Sequence, residues 1–115
     1  WAKEQFATFT GPLLSCEAVV AETCFLLKRS GFDPARALQL IERGVIQIPM
    51  RLDEHIAPVR ALFERYDNVP VSLADACLVR MSELYDPCRV VTLDSDFHIY
   101  RRHGRKTIPL LTPFG

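Results

Sequence analysis

The sequence predicts an α/β fold, a sandwich in which helices flank a central parallel sheet, on three observations. Segments with helical apolar spacing alternate with short apolar runs that read as strands. The eight prolines and five glycines fall mostly between those segments, where pattern breaks belong. A length of 115 residues, 49% hydrophobic and 24% charged, fits one domain, residues 1–115, around a single core. Helices set between short buried strands are what a parallel sheet requires.

Taken in order, Ser15 can cap a first helix through Glu17, Ala18, Val19, Val20, Ala21, Glu22, Phe25 and Leu27, which Gly31 ends. Asp33-Pro34 opens a second helix over residues 35–43, because proline suits a first turn. Past Gly44, the alternation Val45, Ile46, Gln47, Ile48, Pro49 predicts a short strand. A third helix is expected over residues 53–66, weakened in its first half by Pro58, with Asp67-Asn68 and Pro70 forming the loop beyond it. Ser72 caps a fourth helix through Leu84, which Asp86-Pro87 breaks. Arg89-Val90-Val91-Thr92-Leu93 reads as a buried strand ending at Asp94, and a last strand covers residues 107–111.

Fourteen basic and fourteen acidic residues cancel, which argues against binding a polyanion by bulk charge. The distribution is uneven. Residues 1–100 carry 10 basic and 14 acidic groups, whereas residues 101–115 carry 4 basic groups and no acid. Cys16, Cys24, Cys77 and Cys88 match no zinc-ligand spacing and are expected to be free thiols of an intracellular, cytoplasmic protein. No run of 18 apolar residues and no basic-then-apolar leader is present, so neither a membrane span nor a secretory signal is expected. The chain begins at Trp1, which fits an N-terminus lying upstream.

Three acidic places call for a chemical explanation. At 100° per residue, Glu22 shares its helix face with Ala18, Val19, Phe25 and Leu26, where a carboxylate is costly unless paired, protonated or bound to a metal. A rim carboxylate reaching Arg29 is the structural alternative. Asp75 shares a face with Val71, Leu78 and Val79, and Ser72-x-x-Asp75 also reads as a capping box. Val90-Val91-Thr92-Leu93-Asp94-Ser95-Asp96-Phe97 delivers two carboxylates at a strand's carboxyl end, where ligands of open α/β sheets bind. Thr92 could support Asp94 and Asp96 by a hydrogen bond; alternatively, Asp94-Ser95-Asp96 caps the next helical turn. The Asp-x-Asp of haloacid-dehalogenase-type phosphatases fits poorly, because that motif belongs on a first strand and only 19 residues follow Asp96.

If Glu22, Asp75, Asp94 and Asp96 converge, unit charges about 4 Å apart repel by about 4 kcal/mol per pair at an effective dielectric of 20. Such a cluster needs a divalent cation, and oxygen ligands favour Mg2+ or Mn2+ over zinc. Immediately downstream lies Arg101-Arg102-His103-Gly104-Arg105-Lys106. A short basic run is commonly a solvated turn, but beside an acidic metal site it is also what a phosphodiester substrate requires.

Together these residues resemble the PIN-domain ribonucleases, including the toxin nucleases of VapBC-type toxin–antitoxin pairs, over nearly the whole chain. Leu13-Leu14-Ser15-Cys16-Glu17-Ala18-Val19-Val20-Ala21-Glu22 is similar to the family's second-acid helix. Ser72-Leu73-Ala74-Asp75-Ala76 is similar to its third-acid motif, and Thr92-Leu93-Asp94-Ser95-Asp96-Phe97 to its fourth-acid strand end, with Ile108-Pro109-Leu110 as the terminal strand. The resemblance implies a PIN-like three-layer sandwich in which Glu22, Asp75 and Asp94 are catalytic metal ligands. Asp96 becomes a further ligand or a supporting group, and Thr92 a supporting hydroxyl. The family's first acid, an Asp ending an N-terminal strand, has no counterpart, since Trp1 to Phe9 resembles the helix after it. The first strand therefore either lies upstream of Trp1 or belongs to a family from which this copy has degenerated.

The expected function is a Mg2+- or Mn2+-dependent endoribonuclease in which Arg101, Arg102, Arg105 and Lys106 hold the RNA backbone. An antitoxin protein and a homodimer are implied by the resemblance alone. The alternative is a non-catalytic, degenerate PIN-like module that binds RNA or protein.

Overall fold

The computed structural model describes residues 4–5, 7–91 and 95–112, without the side chains of Ser95 and Asp96. It is a mixed α/β structure that divides into two compact units, Trp1–Arg51 and Leu52–Gly115. Thr92, Leu93 and Asp94, and with them the predicted end of the buried strand, lie outside the described residues.

The first unit runs β1 (Leu13–Leu14), α1 (Glu17–Arg29), α2 (Ala35–Glu42) and β2 (Ile46–Gln47). Strands β1 and β2 pair in parallel, Leu13 with Ile46 and Leu14 with Gln47, so the two helices form the crossover that a parallel pair needs. Helix α1 starts one residue later than Ser15 would set it: Cys16 is the N-cap, and no side chain caps that end. Glu17 in its first turn and Lys28 and Arg29 in its last match the helix dipole.

Both helices stop as their glycines predict. Gly31 has φ +85°, its N–H donates to the Lys28 carbonyl, and the Phe32 N–H reaches back to Leu27 at 2.8 Å. The same pattern recurs at Gly44, φ +75°, with Val45 donating to Leu40 at 3.0 Å. Two Schellman endings thus turn the chain sharply after each helix. Asp33 sets the start of α2, its Oδ1 accepting from the Ala35 N–H at 2.9 Å.

The second unit contains α3 (Ile56–Arg65), α4 (Leu73–Leu84), β3 (Val90–Val91), β4 (Arg101–Arg102), β5 (Lys106–Thr107) and β6 (Leu110–Leu111). The expected third helix is split: a 3₁₀ turn, Leu52–Glu54, precedes α3. Pro58 explains the split, because it fits only the first turn, where no intrahelical acceptor awaits its missing N–H. The expected last strand is also divided. Thr107 closes a hairpin with Arg101, whereas Leu110 and Leu111 pair in parallel with Val90 and Val91. Buried Ile108 and Pro109, which has no N–H, separate the two ladders.

Val59 and Leu62 from α3, Tyr66 at its C-cap, Ala76 and Val79 from α4, and Phe97, Tyr100 and Ile108 make the core of this unit. Val90 and Leu110 pack against it and tie the parallel ladder to the helices. The described strands form three two-stranded ladders, two parallel and one antiparallel. Among the described residues no helix is long and apolar enough to cross a membrane.

Candidate functional site

Helix α4 presents Asp75 in its first turn. Ser72 Oγ accepts from the Asp75 N–H at 3.1 Å, and Asp75 Oδ2 accepts from the Ser72 N–H at 3.2 Å, so the capping box read in the sequence is formed. The same Oδ2 receives the Tyr100 hydroxyl at 3.4 Å. Both described bonds therefore fall on one carboxylate oxygen.

Tyr100 reaches Asp75 from a fully buried position held by two edge-on ring contacts, with Phe97 and with Tyr66, each at 5.1 Å between centroids. Phe97 belongs to the 3₁₀ turn Ser95–His98. The backbone of Asp96 is in this turn, while its side chain, like the whole of Thr92 and Asp94, lies outside the described residues.

Glu22 lies in α1 of the first unit and is exposed, as are Phe25 and Leu26 on its face. The desolvation cost expected of it in the sequence does not arise, because α1 has no buried residue. The expected reach to Arg29 is not made: among the described residues no hydrogen bond or ion pair involves Glu22.

The basic run is a β4–β5 hairpin. His103 and Gly104 have φ of +52° and +79° in the three-residue turn, where the Arg105 N–H donates to the Arg102 carbonyl at 3.3 Å. Glu83 of α4 fastens that turn: its Oε2 accepts from the His103 N–H at 2.6 Å, and its Oε1 pairs with Arg80 at 3.2 Å. Arg80 in turn donates through Nε to His55 Nδ1 at 3.2 Å. The Arg101 N–H donates to the Tyr66 hydroxyl at 2.8 Å, which joins the hairpin to α3.

The four basic residues of the expected RNA contact occupy different environments. Arg102 is 6% exposed and pairs through Nη1 with Asp86 at 3.3 Å, while its Nε and Nη2 are buried with no hydrogen-bond partner among the described residues. Arg101 is half-buried, and its Nη1 donates to the carbonyls of His98, Ile99 and Tyr100. Arg105 and Lys106 are exposed. Only the last two present unspent charge to solvent.

A carboxylate such as Asp75 is the hard oxygen donor that Mg2+ or Mn2+ prefers, and its second oxygen makes no described bond. Among the described residues, however, no three His, Cys, Asp or Glu side chains stand together to hold a metal ion. The described part of the expected ligand set is therefore Asp75 alone in the second unit. All four cysteines are free thiols. Burial pushes the Cys88 thiol up from its ordinary 9.0, with Arg102 opposing and Asp86 adding to the shift.

Tyr100 and Glu83 were not signalled as site residues by the sequence. Each acts across 20 or more positions of chain or through a hairpin turn, and local spacing carries no trace of such contacts. No protein-family model, curated protein or solved structure matches the chain.

Proposed function

We propose that this chain is a PIN-like, metal-dependent endoribonuclease that hydrolyses RNA phosphodiester bonds, built as a three-layer sandwich about a parallel sheet. The observation that carries the reading is the Tyr100 hydroxyl on the Asp75 carboxylate. Tyr100 stands four residues after Asp96, so this bond ties the segment that follows the β3 strand end to the acidic first turn of α4. Asp75 and the segment from Ser95 to Tyr100 thus lie in one unit.

In this reading Asp75, Asp94 and Asp96 would hold Mg2+ or Mn2+, with Thr92 supporting the carboxylates. Such an ion, when bound, supplies an activated water and stabilises charge on the scissile phosphate. The chain's own contribution is orientation: the capping box and Tyr100 fix one Asp75 oxygen and leave the other to point at a ligand. Exposed Arg105 and Lys106 attract the RNA backbone. A toxin–antitoxin pair, with an antitoxin protein as partner and a homodimer as the working form, is one physiological setting for such an enzyme.

A second reading is favoured by the capping box itself, which gives Asp75 a structural task without any metal. There the chain is a non-catalytic PIN-like module that binds RNA or protein. Calorimetric titration of the protein with Mn2+ separates the two. The enzyme reading expects a binding isotherm that Asp94→Asn and Asp96→Asn weaken at least tenfold; heat indistinguishable from dilution supports the module.

A further inference from the structure

Arg65 is the last residue of α3 and is exposed. Its guanidinium carbon lies 5.4 Å from the centroid of the Tyr66 ring, within cation–π range. On its other side, Nη1 stands 3.5 Å from where a Cβ on Gly104 would be. The α3 end therefore lies beside the turn of the basic hairpin, at a distance that a Cβ on Gly104 would meet as ordinary van der Waals contact. Among the described residues no carboxylate pairs with Arg65, Arg105 or Lys106.

We infer that Arg65 completes a phosphate-binding surface with Arg105 and Lys106, and that this surface holds the backbone of single-stranded RNA. The inference rests on the ribonuclease reading but concerns a residue 36 positions before the basic run. Three features favour a binding role over a merely solvated charge. The Tyr66 ring face supports the guanidinium beside the turn that carries Arg105 and Lys106. Its hydrogen-bond donors meet no acceptor among the described residues, in contrast to Arg101 and Arg102, whose guanidiniums serve the protein. The supporting Tyr66 ring also meets Tyr100, the residue bonded to Asp75, so the charged surface and the acidic first turn share one aromatic support.

The alternative is that Arg65 serves only the C-terminal dipole of α3. Fluorescence anisotropy of a labelled single-stranded RNA, titrated with the protein in EDTA at several salt concentrations, decides between them. Each lost phosphate contact lowers the slope of log affinity against log salt by about 0.7 for a single strand. Arg65→Gln is expected to weaken binding and lower the slope by about that amount, as Arg105→Gln and Lys106→Gln each do. Arg60→Gln is the charge-matched control, because Arg60 lies on the same helix and pairs with Glu64 at 3.5 Å; its slope should equal that of the unmodified protein. An unchanged slope in Arg65→Gln, or an equal fall in Arg60→Gln, overturns the role of Arg65 while leaving the RNA-binding reading intact. A protein that binds no RNA overturns both.

Discussion

The Tyr100 hydroxyl donates to Asp75 Oδ2 at 3.4 Å, on the same oxygen that accepts the Ser72 N–H. This pair links the buried aromatic cluster of the second unit to the helix end on which the account turns. Tyr100→Phe keeps the ring packing and deletes only the donor. It should cost about 1 kcal/mol of stability, the net worth of one hydrogen bond, measured by urea unfolding with an unchanged m-value.

The two tasks of Asp75 can be separated by substitution. Asparagine retains an oxygen that accepts the Ser72 N–H, whereas alanine does not. Asp75→Asn should therefore unfold close to the unmodified protein, and Asp75→Ala and Ser72→Ala should each lose about 1 kcal/mol through the weakened cap. Chemical denaturation of the three variants checks this.

Arg102 belongs to the protein rather than to a ligand. Its guanidinium is buried, with Asp86, whose side chain is 71% exposed, as its ion-pair partner. Arg102→Met should leave stability unchanged or raise it by about 1 kcal/mol, since a buried charge with incomplete partners is seldom stabilising. RNA affinity, read by anisotropy, should stay the same in this variant and fall in Arg105→Gln.

Cys88 sets a dependence on alkaline pH. Burial raises its folded-state value above the ordinary 9.0, so the unfolded chain releases this proton first. Its contribution to stability is then fully present below pH 9 and is lost as pH rises through the folded value. Unfolding midpoints followed from pH 8 to 10.5 should fall less steeply in Cys88→Ala, and the native thiol should react slowly with iodoacetamide at pH 8.

Local chemistry was legible in the sequence. Gly31 and Gly44 each end a helix because only a residue tolerant of positive φ fits there, and Ser72 with Asp75 caps α4 through contacts three residues apart. What could not be read depends on distant parts of the chain. Arg102 looks like its basic neighbours in sequence, yet the hairpin register buries it beside Asp86. Glu22 appeared to need a partner on an apolar face, but that face is exposed, with Phe25 at 64%. The last strand looked continuous, and the β4 and β3 partners divided it. The site was legible to the same extent: spacing singled out Asp75, whereas its Tyr100 contact spans 25 residues.

The central claim is tested most directly by the rate of single-stranded RNA cleavage in Mn2+ by Asp75→Asn, the variant that preserves the cap. Cleavage by the unmodified protein should be abolished by EDTA, and the rate should be at least a hundredfold lower in Asp75→Asn at undiminished unfolding stability. Cleavage by Asp75→Asn at the unmodified rate would contradict it.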